Sequence, residues 1–145
     1  MNAVDLRALL ADPAQAGAYF VDARDTGAMA EAGAVLAFEV ARIDLAGCAD
    51  KADALSRFAA ALRFPEWFGG NWDALADVLG DLSWLPADGY LLLVEHADAW
   101  RAVDGESFDI LLDILNEAAA VWGERGIAFW ALLPLPAEQL AALEP

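Results

Sequence analysis

The stretch Phe64-Pro65-Glu66-Trp67-Phe68-Gly69-Gly70-Asn71-Trp72-Asp73-Ala74-Leu75-Ala76-Asp77-Val78-Leu79 decides how this chain reads. Pro65 ends the helix expected before it. Gly69-Gly70-Asn71 is a turn, and Asn71 suits a helix N-cap. The helix expected next, over Trp72 to Leu82, carries two stripes. Leu75, Val78, Leu79 and Leu82 follow i, i+3, i+4, i+7 and must face a core. Asp73, Ala76, Asp77 and Gly80 repeat that spacing two residues out of phase, a rotation of about 200°, so they point away from it. Asp73 and Asp77 form an i, i+4 like-charge pair, which destabilises an isolated helix by roughly 0.2–0.5 kcal/mol. Asp73 gains from the dipole of the first turn, and Asp77 gains less. Ala76 and Gly80 leave both carboxylates unshielded, and Gly80 is a poor helix former. A solvated face would account for the helix pattern by itself. Trp67 and Trp72 shift the balance, because aromatics beside unpaired charge are the composition of a binding hot spot. Core packing competes for each tryptophan, and is expected to claim at least one.

Outward from this segment, helix and strand patterns alternate. Short helices are expected at Val4–Ala11 and at Thr26–Gly33, the latter with Thr26 as a weak N-cap, and a strand at Tyr19–Asp22. Phe38–Leu45 reads as a strand. Asp50–Leu62 reads as a helix with Leu55, Phe58, Ala59 and Leu62 on one face. Tyr90–Glu95 and Ile127–Leu133 are apolar runs of buried-strand type, and Pro134-Leu135-Pro136 is expected to end the second. Between them Phe108–Trp122 is a helix, with Gly123 as its C′ residue. A short helix is possible over Ala137–Leu143. Strands separated by helices imply parallel pairing and an α/β fold. No repeat or linker divides the 145 residues, so 1–145 is read as one domain.

Composition narrows the function. Mean hydropathy is +0.39, too high for a disordered chain. The longest apolar stretch is far short of the about 20 residues that span a membrane. The N-terminus has no basic n-region, and the lone Cys48 can form no intrachain disulfide. Both fit a reducing, cytoplasmic setting. One Cys and one His nearly exclude a thiolate or imidazole zinc site, and no metal or cofactor is expected. There are 24 acidic and 8 basic side chains, a net charge of −16. Nucleic-acid binding needs Lys and Arg at phosphates, and an anionic membrane repels an acidic surface, so neither is an expected partner. Residues 64–125 hold thirteen acids against only Arg101 and Arg125. Such density serves solubility, or a surface that meets a basic partner through electrostatic steering.

The Pro65–Leu79 segment resembles the barstar family, intracellular protein inhibitors of small secreted ribonucleases. The shared pattern is Pro, Glu, aromatic, aromatic, Gly, any residue, Asn, any residue, Asp-Ala-Leu, any residue, Asp, any residue, Leu. The resemblance runs more loosely from about Phe38 to Leu133. It implies a barstar-like core over 37–134, a small parallel sheet packed with helices. Residues 1–36 fall outside it and read as an extension, an extra N-terminal βα unit at the sheet edge. It also implies inhibition by plugging: the acidic helix enters the active site of a basic ribonuclease or nuclease-type toxin and mimics substrate phosphate. By motif position Asp77 would be the main phosphate mimic and Asp73 its companion. Trp67 would be a contacting aromatic, Asn71 and Trp72 would line the helix entrance, and Glu117 would be an acidic contact from the later helix. Four positions depart from the family pattern. Ala76 stands where the family has a contacting tryptophan, Gly70 replaces a glutamate, Val121 falls near a second acidic contact, and Trp72 enlarges an aliphatic position. The expected partner-binding set is Trp67, Gly70, Asn71, Trp72, Asp73, Ala76, Asp77, Gly80 and Glu117. The free protein is expected to be a monomer and not an enzyme.

Two other classes remain open at this point. An acidic interaction module with a non-nuclease basic partner would use the same helix. A carboxylate-based hydrolase would use Asp73 and Asp77 as acid and base, but two carboxylates on one exposed stripe have no reason to hold the raised pKa of a general acid. His96 follows a strand end, a usual place for active sites in parallel sheets, yet no pattern sets a nucleophile beside it. Cys48 reads as a small packed residue. Trp84, Trp100, Trp122 and Trp130 read as core or core edge.

Overall fold

A computed structural model describes residues 3–143. Four strands, β1 (Ala18–Asp22), β2 (Glu39–Asp44), β3 (Gly89–Glu95) and β4 (Ala128–Leu135), form one sheet in the order β1-β4-β3-β2. Every neighbouring pair is parallel. The helices are α1 (Ala3–Leu10), α2 (Thr26–Val35), α3 (Lys51–Leu62), α4 (Trp72–Asp81), α5 (Ala97–Val103), α6 (Gly105–Glu124) and α7 (Ala137–Ala142). The fold is therefore α/β, as the alternation implies.

Side chains alternate across a strand, so each strand feeds two cores. Tyr90, Leu92 and Val94 of β3 join Phe129, Ala131 and Leu133 of β4 in the larger core, where α3, α4, α5 and α6 pack. Leu91 and Leu93 join Trp130 and Leu132 on the opposite face, under Leu6, Leu9 and Leu10 of α1 and Met29 and Ala32 of α2. Strands buried on both faces cannot alternate polar with apolar, which is why these two read as continuous apolar runs.

Helix α4 follows its sequence closely. Asn71 is extended, and its Oδ1 accepts the Ala74 N–H at 2.8 Å. Leu75, Val78, Leu79 and Leu82 are all fully buried. Burying each is worth about 1.5–3 kcal/mol relative to exposure. Leu82 takes a left-handed conformation to end the helix, with its N–H on Val78 O. That conformation is uncommon for a bulky residue, and its fully buried side chain holds it there.

Three expectations need correction, and one element had none. Thr26 is not a cap. Asp22 caps a single 3-10 turn over Ala23–Asp25 that leads straight into α2, so Thr26 is already helical and its hydroxyl donates to Ala23 O at 2.9 Å. Gly123 is not the C′ residue, because α6 continues to Glu124. Gly126, at φ +75°, takes that place, with Ile127 N–H on Trp122 O. Pro134 does not end β4. The Ala131 N–H points to Gly17 of the β1 side, so even-numbered positions face β3. Pairing with β3 stops at Leu132, so the missing N–H of Pro134 lies beyond the end of that ladder and breaks no bond of it. Leu133 and Leu135 stay paired with β1. Finally, α5 was not expected. Its seven residues are too few to show a period, and it is held by burial of Ala97 and Trp100.

The Asn71 cap yields a stability prediction. Asn71→Ala should lower unfolding free energy by about 0.5–2 kcal/mol, and Asn71→Asp should retain most of it. Urea unfolding followed by circular dichroism measures both. Equal midpoints for wild type and Asn71→Ala would show that the cap is energetically silent.

Candidate protein-binding interface

Two groups of the expected residues lie along α4. The first is the turn and opening of the helix. Gly70 is at φ +69°, where a side chain would be strained, and this lets the chain enter α4 with Asn71 extended. Asp73 is exposed in the first turn. The two tryptophans differ. Trp72 is half-buried and packs against the larger core. Trp67 is 63% exposed. It stands edge-on to Trp84 at 6.4 Å. Trp84 is fixed in turn by its indole N–H on Leu62 O at 3.0 Å and by an edge contact with Phe64. Trp67 is thus an exposed aromatic with a rigid support.

The second group lines a groove between α4 and α6. Ala76, Asp77, Gly80 and Asp81 form one wall, and Ile114, Glu117, Ala118 and Val121 form the other, with Arg125 at the end. The volume is about 380 Å³. Small residues hollow it out: a Cβ added at Gly80 would meet nothing within 4 Å. The two helices are locked together by the Trp122 indole N–H, which donates to Leu79 O at 2.7 Å and is buried. Folding thus brings Ala76, Asp77, Gly80 and Glu117 together from two helices. Trp67, Gly70, Asn71, Trp72 and Asp73 do not line the groove. Asp73 precedes Asp77 by one helical turn, about 6 Å along the axis.

The charges here are unpaired. Ion pairs within 4.0 Å join Arg24 to Asp22, Arg42 to Glu95, Arg57 to Asp53, Arg63 to Glu39 and His96 to Asp44. Among the described residues no carboxylate of α4 or α6 takes part in one. Five acids elsewhere are tied down by these pairs. The Arg24 side chain holds the Asp22 carboxyl at about 2, well below the usual range. Hydrogen bonds from Arg57 and the Ala49 N–H lower Asp53.

His96 lies outside the groove. Its Nδ1 is 2.7 Å from Asp44 Oδ1, and the Asp44 carboxyl is lowered by the Ala46 N–H and by His96. Burial pushes the Cys48 thiol up, in keeping with a packed residue rather than a nucleophile. Trp100, Trp122 and Trp130 are buried and Trp84 is half-buried, as expected of core and core edge. Among the described residues no three His, Cys, Asp or Glu side chains are grouped to hold a metal ion. No helix among them is long and apolar enough to cross a membrane.

Sequence reasoning did not include Asp81, Ile114, Ala118, Val121 or Arg125 in the set. Asp81 continues the i, i+4 series of Asp73 and Asp77, a signal that was present. Arg125 had none, because its position depends on α6 running past Gly123.

No curated protein matches the chain. Residues 38–134 match the family model described as Barstar (barnase inhibitor). The match takes in β2, β3 and β4, helices α3 to α6 and both walls of the groove. The chain therefore belongs to the barstar family, a family described as barnase inhibitors.

Proposed function

We propose that this protein inhibits a basic ribonuclease or nuclease-type toxin by seating α4 and the α4–α6 groove over its active site. The observation that carries the reading is the set of unpaired carboxylates on these helices, Asp73, Asp77 and Glu117 among them. The described ion pairs neutralise acids elsewhere on the molecule. A ribonuclease binds RNA phosphate with cationic side chains, and a carboxylate presented to those cations forms short charge-assisted hydrogen bonds. Asp77 sits on the groove wall opposite Glu117 and is the main phosphate mimic. Asp73 extends the acidic line toward the helix entrance, where Asn71 and Trp72 stand. Trp67 is the apolar anchor, pre-positioned by Trp84 so that little side-chain entropy is lost on contact. The departures at Ala76 and Gly70 remove bulk, and Gly70 a carboxylate as well, while Asp73 and Asp77 are kept, so the partner of best fit has a different surface relief from barnase itself. The protein acts in the cytoplasm as a monomer until it meets this partner, and it has no catalytic role.

Titration into assays of barnase-type ribonucleases and basic nuclease-type toxins tests the reading. Stoichiometric inhibition is expected, and failure to inhibit any of them would overturn it. Asp77→Ala should weaken binding by roughly 2–5 kcal/mol, a range drawn in part from the barnase–barstar complex itself. Its folding stability should change little, or rise slightly as repulsion from Asp73 is relieved. Unchanged affinity would remove Asp77 from the interface. The association rate should fall at least tenfold between low salt and about 0.5 M, because steering by the net charge of −16 is screened. A flat profile in stopped-flow measurements would assign that charge to solubility alone.

A further inference from the structure

The groove holds one cation, Arg125, among eight other lining residues of which three are acidic. Its Nη1 donates to Gly80 O at 2.9 Å, across the last turn of α4. Its guanidinium centre lies 4.7 Å from the Trp122 ring centroid. Trp122 cannot shift easily, because its own indole N–H is spent on Leu79 O. Arg125 is thus held at a set place by a hydrogen bond and a stacked ring. It is still exposed, and it takes part in none of the ion pairs among the described residues. A guanidinium carries five N–H donors in a planar fork, and Gly80 O occupies one of them. The remaining donors suit a carboxylate, which they can engage in two parallel hydrogen bonds.

We propose that Arg125 sets partner specificity, by requiring a carboxylate on the ribonuclease surface that faces the Arg125 end of the groove. This rests on the inhibitor reading and adds to it. The groove would read two signs in sequence: partner cations against Asp77 and Glu117, then a partner carboxylate against Arg125. A partner with Lys or Arg at that last place is turned away. At about 6 Å and an effective dielectric near 20, such a cation would weaken binding by roughly a hundredfold. A wholly acidic groove would accept any sufficiently basic surface, and Arg125 removes that tolerance.

The test uses the full chain and a nuclease that it inhibits in the titration above. Each acidic residue at the rim of that enzyme's active site is changed singly to Ala and to Lys. Dissociation constants are measured against wild type, Arg125→Gln, Arg125→Glu and Asp77→Ala. Arg125→Gln keeps a donor while removing the charge, and thermal unfolding of each variant separates lost folding from lost recognition. One rim carboxylate should couple to Arg125 by about tenfold or more in the double-mutant cycle. Arg125→Glu should bind at least tenfold more weakly, and be restored by Lys at that same rim position. If Asp77→Ala loses inhibition while both Arg125 variants bind every rim variant within threefold of wild type, the Arg125 inference falls and the inhibitor reading stands. If wild type inhibits none of the nucleases in that titration, both fall together.

Discussion

The two central strands are hidden from water on both faces, and the rest of the architecture follows from that. Leu91, Leu92, Leu93 and Val94 of β3 are fully buried, and so are Phe129, Ala131 and Leu133 of β4. A parallel sheet of this kind is stable only when helices cover both sides. Helices α3 to α6 cover one side, while α1 and α2 of the N-terminal segment cover the other. Side chains available for recognition are thereby confined to the outer surfaces of helices and to loops. On the α4 side those outer surfaces are acidic.

Covering the sheet also decides where the groove lies. Both α4 and α6 must lay an apolar face on the same core, so they run side by side with their polar faces outward. The helices touch through Leu79 and Trp122, and the small residues Ala76, Gly80 and Ala118 leave a hollow above that contact. A larger side chain at Gly80 would find open space rather than a clash. The hollow is therefore a matter of residue choice and not of forced packing. A helix that needed only to cover the core would gain stability from Ala at position 80.

The sequence made the architecture legible to the extent that it carried a period. The inner stripe of α4, the Asn71 cap and the two apolar strands each rest on a local rule of spacing or hydrogen bonding, and each appears in the structure. The places where local rules failed are set by tertiary context. Pro134 stays in a strand because the neighbouring ladder has already ended. Gly123 stays in a helix because Gly126 supplies the left-handed turn three residues later. Thr26 yields its capping role to a 3-10 turn that no pattern announces. At the candidate interface, the acidic line was readable as i, i+4 spacing. The groove itself was not, because its second wall comes from a helix more than thirty residues away. Which of Trp67 and Trp72 stays exposed was equally hidden: Trp72 packs on the larger core, while Trp67 meets Trp84 edge-on.

The distribution of ion pairs closes the physical argument. Exposed pairs contribute little to stability, about 0–1 kcal/mol each, so their placement is weakly constrained by folding. Yet the described pairs lie at Asp22, Glu39, Asp44, Asp53 and Glu95, and none lies on α4 or α6. Lys or Arg at an i+4 position on either helix would have relieved the repulsion at a gain of a few tenths of a kcal/mol. The one base that does reach the groove, Arg125, is turned onto a backbone carbonyl and an indole ring instead of a carboxylate. The free protein thus carries unrelieved electrostatic repulsion along the two helices that flank one groove. A basic partner seated there would relieve that repulsion as well as add contacts of its own. Part of the driving force for association is therefore already present in the unbound fold.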